Sequence, residues 1–219
     1  MNASMNTVTP NQVKQLLDDI NTTSEKFLKD IVEETIAMYR NINSVWADSY
    51  VVSLSKNIQI DILTVLNEFS VRIEKLKIKI IDINNTYAKI ARNGKVISNH
   101  LINTTALSEL DYKIVKTTFE DGSFGFNAKK SCFEVDDIIA SYISRCNGLT
   151  TTFASAMNNN AFGNEIIKSE IKQVTNSIVR SVSEKTKKIL TEVRDEFNST
   201  LKKYDEVSKS AAEHLQRIK

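Results

Sequence analysis

The chain has 219 residues, of which only five are Gly and one is Pro, and this scarcity of turn residues argues against a β-rich fold. Its 29 basic and 27 acidic residues are interspersed and leave a net charge of +2, so no single-signed surface favours nucleic-acid binding. No stretch approaches the roughly 20 consecutive apolar residues of a membrane span.

The first part of the chain predicts two long amphipathic helices. Pro10 follows Thr9 where the first periodic stretch begins, a position that suits a capping residue and a first helical residue. Apolar residues then recur at steps of three and four up to Val45. The second stretch, Leu54 to Ile90, is a regular heptad that requires a partner helix along its length. Its predicted packing positions are Leu54, Ile58, Ile62, Phe69, Ile73, Leu76 and Ile80.

The only tryptophan, Trp46, lies between these stretches in the segment Ser44-Val45-Trp46-Ala47-Asp48. This position predicts a helical hairpin over residues 9–93, with an aromatic side chain at its turn. This hairpin resembles the small WXG-type, ESAT-like proteins of type VII secretion systems, with Asp48 where that family has Gly. The resemblance marks Trp46 and Asp48 as candidate recognition residues; alternatively, Trp46 only fills the open end between the helices.

The segment from residue 94 to 134 differs in pattern. Asn93-Gly94 ends the heptads, and the residues from Tyr112 to Phe119 are mostly β-branched or aromatic. An Asp-Gly turn at Asp121-Gly122 follows, and Phe124 to Phe126 can form the returning strand. We expect a linker over 94–134 that contains one small β-hairpin.

Residues 135–219 repeat the plan of the first hairpin. Helical periodicity resumes, stops between Asn158 and Asn164, and continues as a second heptad stretch from Ile167. Phe162 and Gly163 occupy this second turn, as Trp46 and Ala47 occupy the first, which suggests a tandem duplication. Phe162 and Gly163 are therefore candidate recognition residues as well; alternatively, Phe162 only fills the end of the bundle. The second stretch predicts packing positions at Ile178, Val193, Phe197 and Leu201.

The expected fold is all-α. Two long helical hairpins would form a four-helix-bundle or coiled-coil-like assembly, because one hairpin buries only part of its apolar faces. In the resembling family two separate hairpins pair antiparallel. Here one chain supplies both, and tethering favours their association within the chain.

Residues that could support catalysis or cofactor binding are scarce. There is no Gly-rich phosphate loop, no Gly-x-Ser-x-Gly motif and no His-Glu-x-x-His motif. The two histidines, His100 and His214, and the two cysteines, Cys132 and Cys146, are widely spaced, which disfavours a metal site. We expect a protein that is not an enzyme and needs no cofactor or metal.

The resemblance implies a non-enzymatic protein associated with type VII secretion, either a secreted factor or a targeting partner for a larger effector. Its partners would be another helical-hairpin protein, or a secreted effector and the secretion machinery. We expect synthesis in the cytoplasm and export without a cleaved signal peptide, since the N-terminus lacks the basic and apolar regions of one.

Two observations keep other functions open. The family's Tyr-x-x-x-Asp/Glu export element is not matched, because Tyr87 is followed four residues later by Ala91 and Tyr204 by Ser208. A role as partner of an exported protein therefore stays open. The alternative class is a structural coiled-coil assembly protein of the phage or cytoskeletal type, in which the long heptads would pair between chains.

Overall fold

Helices account for almost all of the described chain. The structure is a computed structural model that describes residues 7–45, 49–91, 94–112, 128–156 and 161–217. Within these residues the elements are α1 (Pro10–Val45), α2 (Ser49–Ile90), α3 (Thr105–Tyr112), α4 (Ala128–Ala156) and α5 (Glu165–Gln216). The predicted all-α class is confirmed.

Both predicted turns coincide with interruptions of the helices. α1 ends at Val45 and α2 begins at Ser49, while α4 ends at Ala156 and α5 begins at Glu165. The start of α5 has a clear local cause. The Asn164 side chain caps α5 by accepting hydrogen bonds from the backbone N–H groups of Ile166 and Ile167, at 2.9 and 3.3 Å.

The prediction for residues 94–134, the linker between the two hairpins, needs correction. The expected β-hairpin over Tyr112 to Phe126 is not supported, because Tyr112 ends helix α3, and residues 113–127 lie outside the described part of the chain. In the described ranges the only extended pairing is an isolated antiparallel bridge between Val8 and Phe162. α4 also begins at Ala128, upstream of the expected start at residue 135. Leu107 and Leu110 of α3 are buried in the core. The stability gained from this burial outweighs the local preference of Tyr112 for a strand.

The four long helices contact each other in a cyclic order. α1 contacts α2 and α4, and α5 contacts the same two helices. Side-chain pairs give the directions: Arg145 lies beside Glu34 and Phe153 beside Phe27, so α4 is antiparallel to α1. Ser177 lies beside Arg72 and Lys185 beside Glu68, so α5 is antiparallel to α2. Every contacting pair of long helices is thus antiparallel.

Residues 94–112, which we call the crossover segment, pass from the end of α2 back along the molecule. α3, the helical part of this segment, contacts both α1 and α2. The buried side chains of Ile102, Leu107 and Leu110 join the main core. The crossover segment therefore covers the outer groove between the first two helices.

Gly94, at the start of the crossover segment, lies against the last turns of α2. A Cβ atom at this position would be 2.2 Å from the Ala88 Cα and 3.0 Å from the Ala88 carbonyl oxygen. Such a contact with backbone cannot be relieved by a side-chain rotation. Gly148, in the interior of α4, differs because a Cβ there would have no heavy atom within 4 Å.

These two glycines provide a matched pair of alanine substitutions. We expect Gly94→Ala to lower the free energy of unfolding by about 1–3 kcal/mol, because the backbone must shift to accept the new atom. Gly148→Ala should raise it by about 0.5–1 kcal/mol, since alanine loses less conformational entropy in a helix. Urea denaturation followed by circular dichroism measures both. Equal effects of the two substitutions would contradict the close approach at Gly94.

Candidate interaction surfaces

The second predicted turn lies at the N-terminal end of α1. Phe162 is fully buried and pairs with Val8 in the isolated bridge. The backbone N–H of Gly163 donates to the carbonyl oxygen of Thr7 at 2.7 Å, and that of Thr9 donates to Ala161 at 3.2 Å. Short backbone pairing thus joins the start of the chain to the second turn. Phe162 is part of the core, and its predicted role in partner recognition stays a prediction.

The other predicted site residues divide into two groups. Trp46 and Asp48 lie outside the described residues, as does the side chain of Leu54. The remaining packing positions are all buried. These are Ile58, Ile62, Phe69, Ile73, Leu76, Ile80, Ile178, Val193, Phe197 and Leu201.

A hydrogen-bonded attachment holds the crossover segment to α2. The side-chain amide of Asn85 pairs with the backbone of Ile97 as a neighbouring strand would, accepting from its N–H at 3.0 Å and donating to its carbonyl at 3.2 Å. Farther along, Gln59 donates to the carbonyl of Leu110 at 2.9 Å. Because no strand of the described residues lies beside the crossover segment, helix side chains bond several of its backbone groups.

Glu74 and Lys77 form the centre of this attachment. The Lys77 ammonium is completely buried; it donates to Glu74 Oε1 at 2.9 Å and also to the carbonyl oxygen of His100. The Glu74 carboxylate accepts in addition from the Asn99 side chain at 2.9 Å and from the Ile102 N–H at 2.8 Å. One ion pair therefore ties α2 to three residues of the crossover segment.

The charge state of Glu74 reflects this environment. Partial burial by itself raises the pKa of the carboxyl group, but hydrogen bonds from Asn99, Lys77 and the Ile102 backbone, with the charge of Lys77, hold it below its ordinary value of 4.5. Glu74 is thus ionised at neutral pH. The ion pair with Lys77 is complete under those conditions.

The attachment was not predicted from the sequence, although a signal is present. Ser70, Lys77 and Asn84 recur at steps of seven along α2, and all three are buried. A polar row at heptad spacing beside an apolar stripe ordinarily indicates a solvated face. Here Lys77 and Asn84 donate to backbone carbonyls of the crossover segment, while Ser70 donates to the Leu66 carbonyl within α2.

Two cavities flank the crossover segment. One of about 600 Å³ lies between residues 7–11 and the end of α2, where Asn84 and Tyr87 line it. The other, about 360 Å³, lies between α1 and residues 95–100. Lys95 and Asn11 line both cavities.

A buried polar group lies between α1 and α4. The Thr35 hydroxyl donates to the Ile31 carbonyl at 2.7 Å and lies 2.8 Å from the Tyr142 hydroxyl, which must then be the donor to Thr35. Nearby, burial raises the pKa of Cys146 to about 11. Its thiol is free, buried and protonated at neutral pH, and such a thiol is a poor nucleophile.

The described ranges contain no group of three or more His, Cys, Asp or Glu side chains placed to hold a metal ion. No helix in the same ranges is long and apolar enough to span a membrane. The basic stretch of α5 is largely paired, since Lys185 contacts Glu68 and Lys188 lies 3.8 Å from Glu192.

The C-terminal end of α5 extends beyond the described start of α4. Ser183 of α5 hydrogen-bonds Asn147 of α4, and α4 begins 19 residues before Asn147, so its start lies level with about residue 202. Leu201 is the last buried residue of α5. We call residues 202–217 the α5 overhang; they extend roughly 24 Å at about 1.5 Å per residue.

No family model, curated protein or solved structure matches this chain. Its function is therefore argued from the arrangement of its own residues.

Proposed function

We propose that the chain is a non-enzymatic protein associated with type VII secretion, which acts through helix–helix interaction as a secreted factor or as a targeting partner for a larger effector. In this proposal α1 and α2 form one WXG-like hairpin, α4 and α5 form the other, and the two build a four-helix bundle within a single chain. The crossover segment connects them.

The observation that carries the proposal is the relative orientation of the two hairpins. The turn at Phe162 and Gly163 lies beside Thr7 at the start of α1, whereas the turn between Val45 and Ser49 follows the opposite end of α1. The two turns thus lie at opposite ends of the helices. This is the antiparallel arrangement that the resemblance implies for two separate hairpins.

The same observation weighs against a rod built between chains. A rod would need the heptads of α2 and α5 to be free for pairing with other copies, but packing positions of α2 from Ile58 to Ile80 and of α5 up to Leu201 are covered within the chain. Ile58 through Ile80 on α2 and Ile178 through Leu201 on α5 supply buried packing positions. The rings of Phe27, Phe69 and Phe153 also meet between the two hairpins, with centroids 4.9–5.6 Å apart.

An export experiment in the cells that encode the chain tests the proposal. We expect the tagged chain, or a larger effector that copurifies with it, to appear in the medium of normal cells but not of cells lacking the type VII ATPase. If the chain is a targeting partner, its deletion should leave the effector inside the cell. Absence of any ATPase-dependent or chain-dependent export would refute the proposal.

A substitution at the first turn makes the experiment more specific. Trp46→Ala is expected to abolish partner capture and export, because the resemblance assigns recognition to this residue. Ile60→Ala provides the control, since Ile60 is 62% exposed on α2, far from both turns. Unchanged export with Trp46→Ala, together with unchanged thermal melting, would make the tryptophan incidental.

A further inference from the structure

The crossover segment has two parts that differ in how they are held. From Ile102 onward, side chains buried in the core fix it to the molecule. Residues 95–101, which we call the strap, contain no buried side chain; Ile97 is half-buried, and Val96 and Leu101 are 71% and 77% exposed. Hydrogen bonds to α1 and α2 therefore hold the strap, with little burial of apolar surface.

These hydrogen bonds are made mainly to the backbone of the strap. The groups bonded are the N–H of Ile97 and the carbonyl oxygens of Lys95, Ile97 and His100. Their helix partners are Asn84 for Lys95, Asn85 for both groups of Ile97, and Lys77 and Asn21 for His100. Every residue of a peptide carries such backbone groups, so the helices recognise a main chain and do not select its side chains.

The main chain in the groove between α1 and α2 is extended and runs antiparallel to α2. The Ile97 backbone bonds Asn85. Five residues later, the Ile102 N–H bonds Glu74, which lies eleven residues before Asn85 on α2. Eleven helical residues span about 16 Å, so the segment advances roughly 3.3 Å per residue, which is the rise of a β-strand. The groove therefore holds its occupant as a sheet edge holds an added strand.

The strap does not use all that the groove offers. The side-chain oxygens of Asn21, Asn84 and Asn99 are buried there and have no hydrogen-bond partner among the described residues. Turning the Asn84 amide over would not help, because its nitrogen already donates to Asn85 and to the Lys95 carbonyl. The cavity of about 360 Å³ also lies between the strap and α1. Unpaired buried acceptors and unfilled space beside a segment indicate that it is loosely docked.

We propose that the groove between α1 and α2 is a binding site for an extended peptide segment of a partner protein, and that the strap is its in-chain occupant. The strap opens between two anchors, Gly94 against Ala88 and Ile102 in the core, without unfolding a helix. The partner segment needs no charge of its own, since the Lys77 ammonium is already paired with Glu74. This site does not depend on the proposed role in secretion.

Amide hydrogen exchange of the full chain, followed by NMR, tests whether the strap opens by itself. The N–H groups of Ile97 and Ile102 form a matched pair, because each donates to a helix side chain, at 3.0 and 2.8 Å. We expect the Ile97 amide to exchange on the order of 100-fold faster, since only the Ile102 side chain is buried. Equal exchange of the two amides would overturn the proposal.

Fluorescence anisotropy of a labelled peptide with the sequence of residues 94–104 tests the groove itself. We expect saturable binding to the full chain. Binding to the Ile97→Pro chain should be about tenfold tighter, because its strap lacks the N–H that bonds Asn85 and competes less well. Adding Asn85→Ala to that chain should abolish binding, whereas adding Thr86→Ala, at an exposed position of α2, should not change it. Circular dichroism checks that each variant keeps its helices.

Modified peptides show whether the main chain is what is recognised. A peptide N-methylated at Ile97 lacks the same N–H and should not bind, whereas exchange of Val96 and Ser98, which are both exposed, should have no effect. If Ile97→Pro disturbs the helices, the unsubstituted chain and its Asn85→Ala variant give the same comparison. A peptide that binds no form of the chain, or binding that survives Asn85→Ala, would refute the groove as a peptide site.

Discussion

Phe153→Ala is expected to lower the free energy of unfolding by about 3–5 kcal/mol. Phe153 is buried on α4, and its ring lies 5.4 Å from that of Phe27 on α1 and 5.6 Å from that of Phe69 on α2, measured between centroids. Truncation removes the apolar area and the edge-on ring contacts, and it leaves a cavity where three helices meet.

Chemical denaturation with circular dichroism measures this loss. Ile60→Ala serves as the control, since it also truncates an apolar side chain but at an exposed position, where the change should stay within about 0.5 kcal/mol. Phe153→Leu should fall between the two because it leaves a smaller cavity. A loss below about 1 kcal/mol for Phe153→Ala would mean that the two hairpins do not depend on this aromatic contact.

Glu74→Ala is expected to cost a similar amount, about 3–5 kcal/mol, for an electrostatic reason. The substitution leaves the Lys77 ammonium completely buried, with the His100 carbonyl as an acceptor but no carboxylate beside it. It also removes the acceptor for Asn99 and for the Ile102 N–H, so the crossover segment loses two of its hydrogen bonds to α2. Removing one partner of a buried ion pair lowers the free energy of unfolding more than replacing the buried charges by apolar side chains does.

Lys77→Met provides the comparison for Glu74→Ala. It deletes the buried cation, while Glu74, whose side chain is 18% exposed, keeps its hydrogen bonds from Asn99 and Ile102. We expect less than half the loss caused by Glu74→Ala. If Lys77→Met proves the more damaging of the two, the packing of the lysine stem, and not the unpaired charge, dominates at this position.

The Glu74 carboxylate also makes the free energy of unfolding depend on pH. Because the pKa of Glu74 is lower in the folded protein than its ordinary value of 4.5, the unfolded chain takes up this proton first as the pH falls. The stability contributed by Glu74 is therefore fully present above about pH 4.5 and is lost as the pH drops through the lowered folded pKa. Glu74→Gln should flatten this part of the acid denaturation profile.

The sequence by itself determined the helices and their apolar faces. Heptad spacing placed Ile58, Phe69 and Ile80 on one side of α2, and these residues are buried. The scarcity of Gly and Pro excluded a β-rich fold, and the segments around Trp46 and Phe162 interrupt otherwise continuous periodic stretches. These features are local, because spacing along a helix decides which side chains share a face.

Only the tertiary structure decided what covers each face. Lys77 and Asn84 have the polar character of a solvated surface, yet they are buried because the crossover segment lies over them, and each donates a hydrogen bond to a backbone carbonyl of that segment. Tyr112, which local preference assigned to a strand, ends α3 because Leu107 and Leu110 bury against α1 and α2. The apolar stripe of α5 is regular on both sides of Leu201, but its neighbours end there, so the same pattern is core before that residue and exposed surface beyond it. Periodicity specifies an apolar face, whereas the partner of that face depends on contacts between residues far apart in the chain.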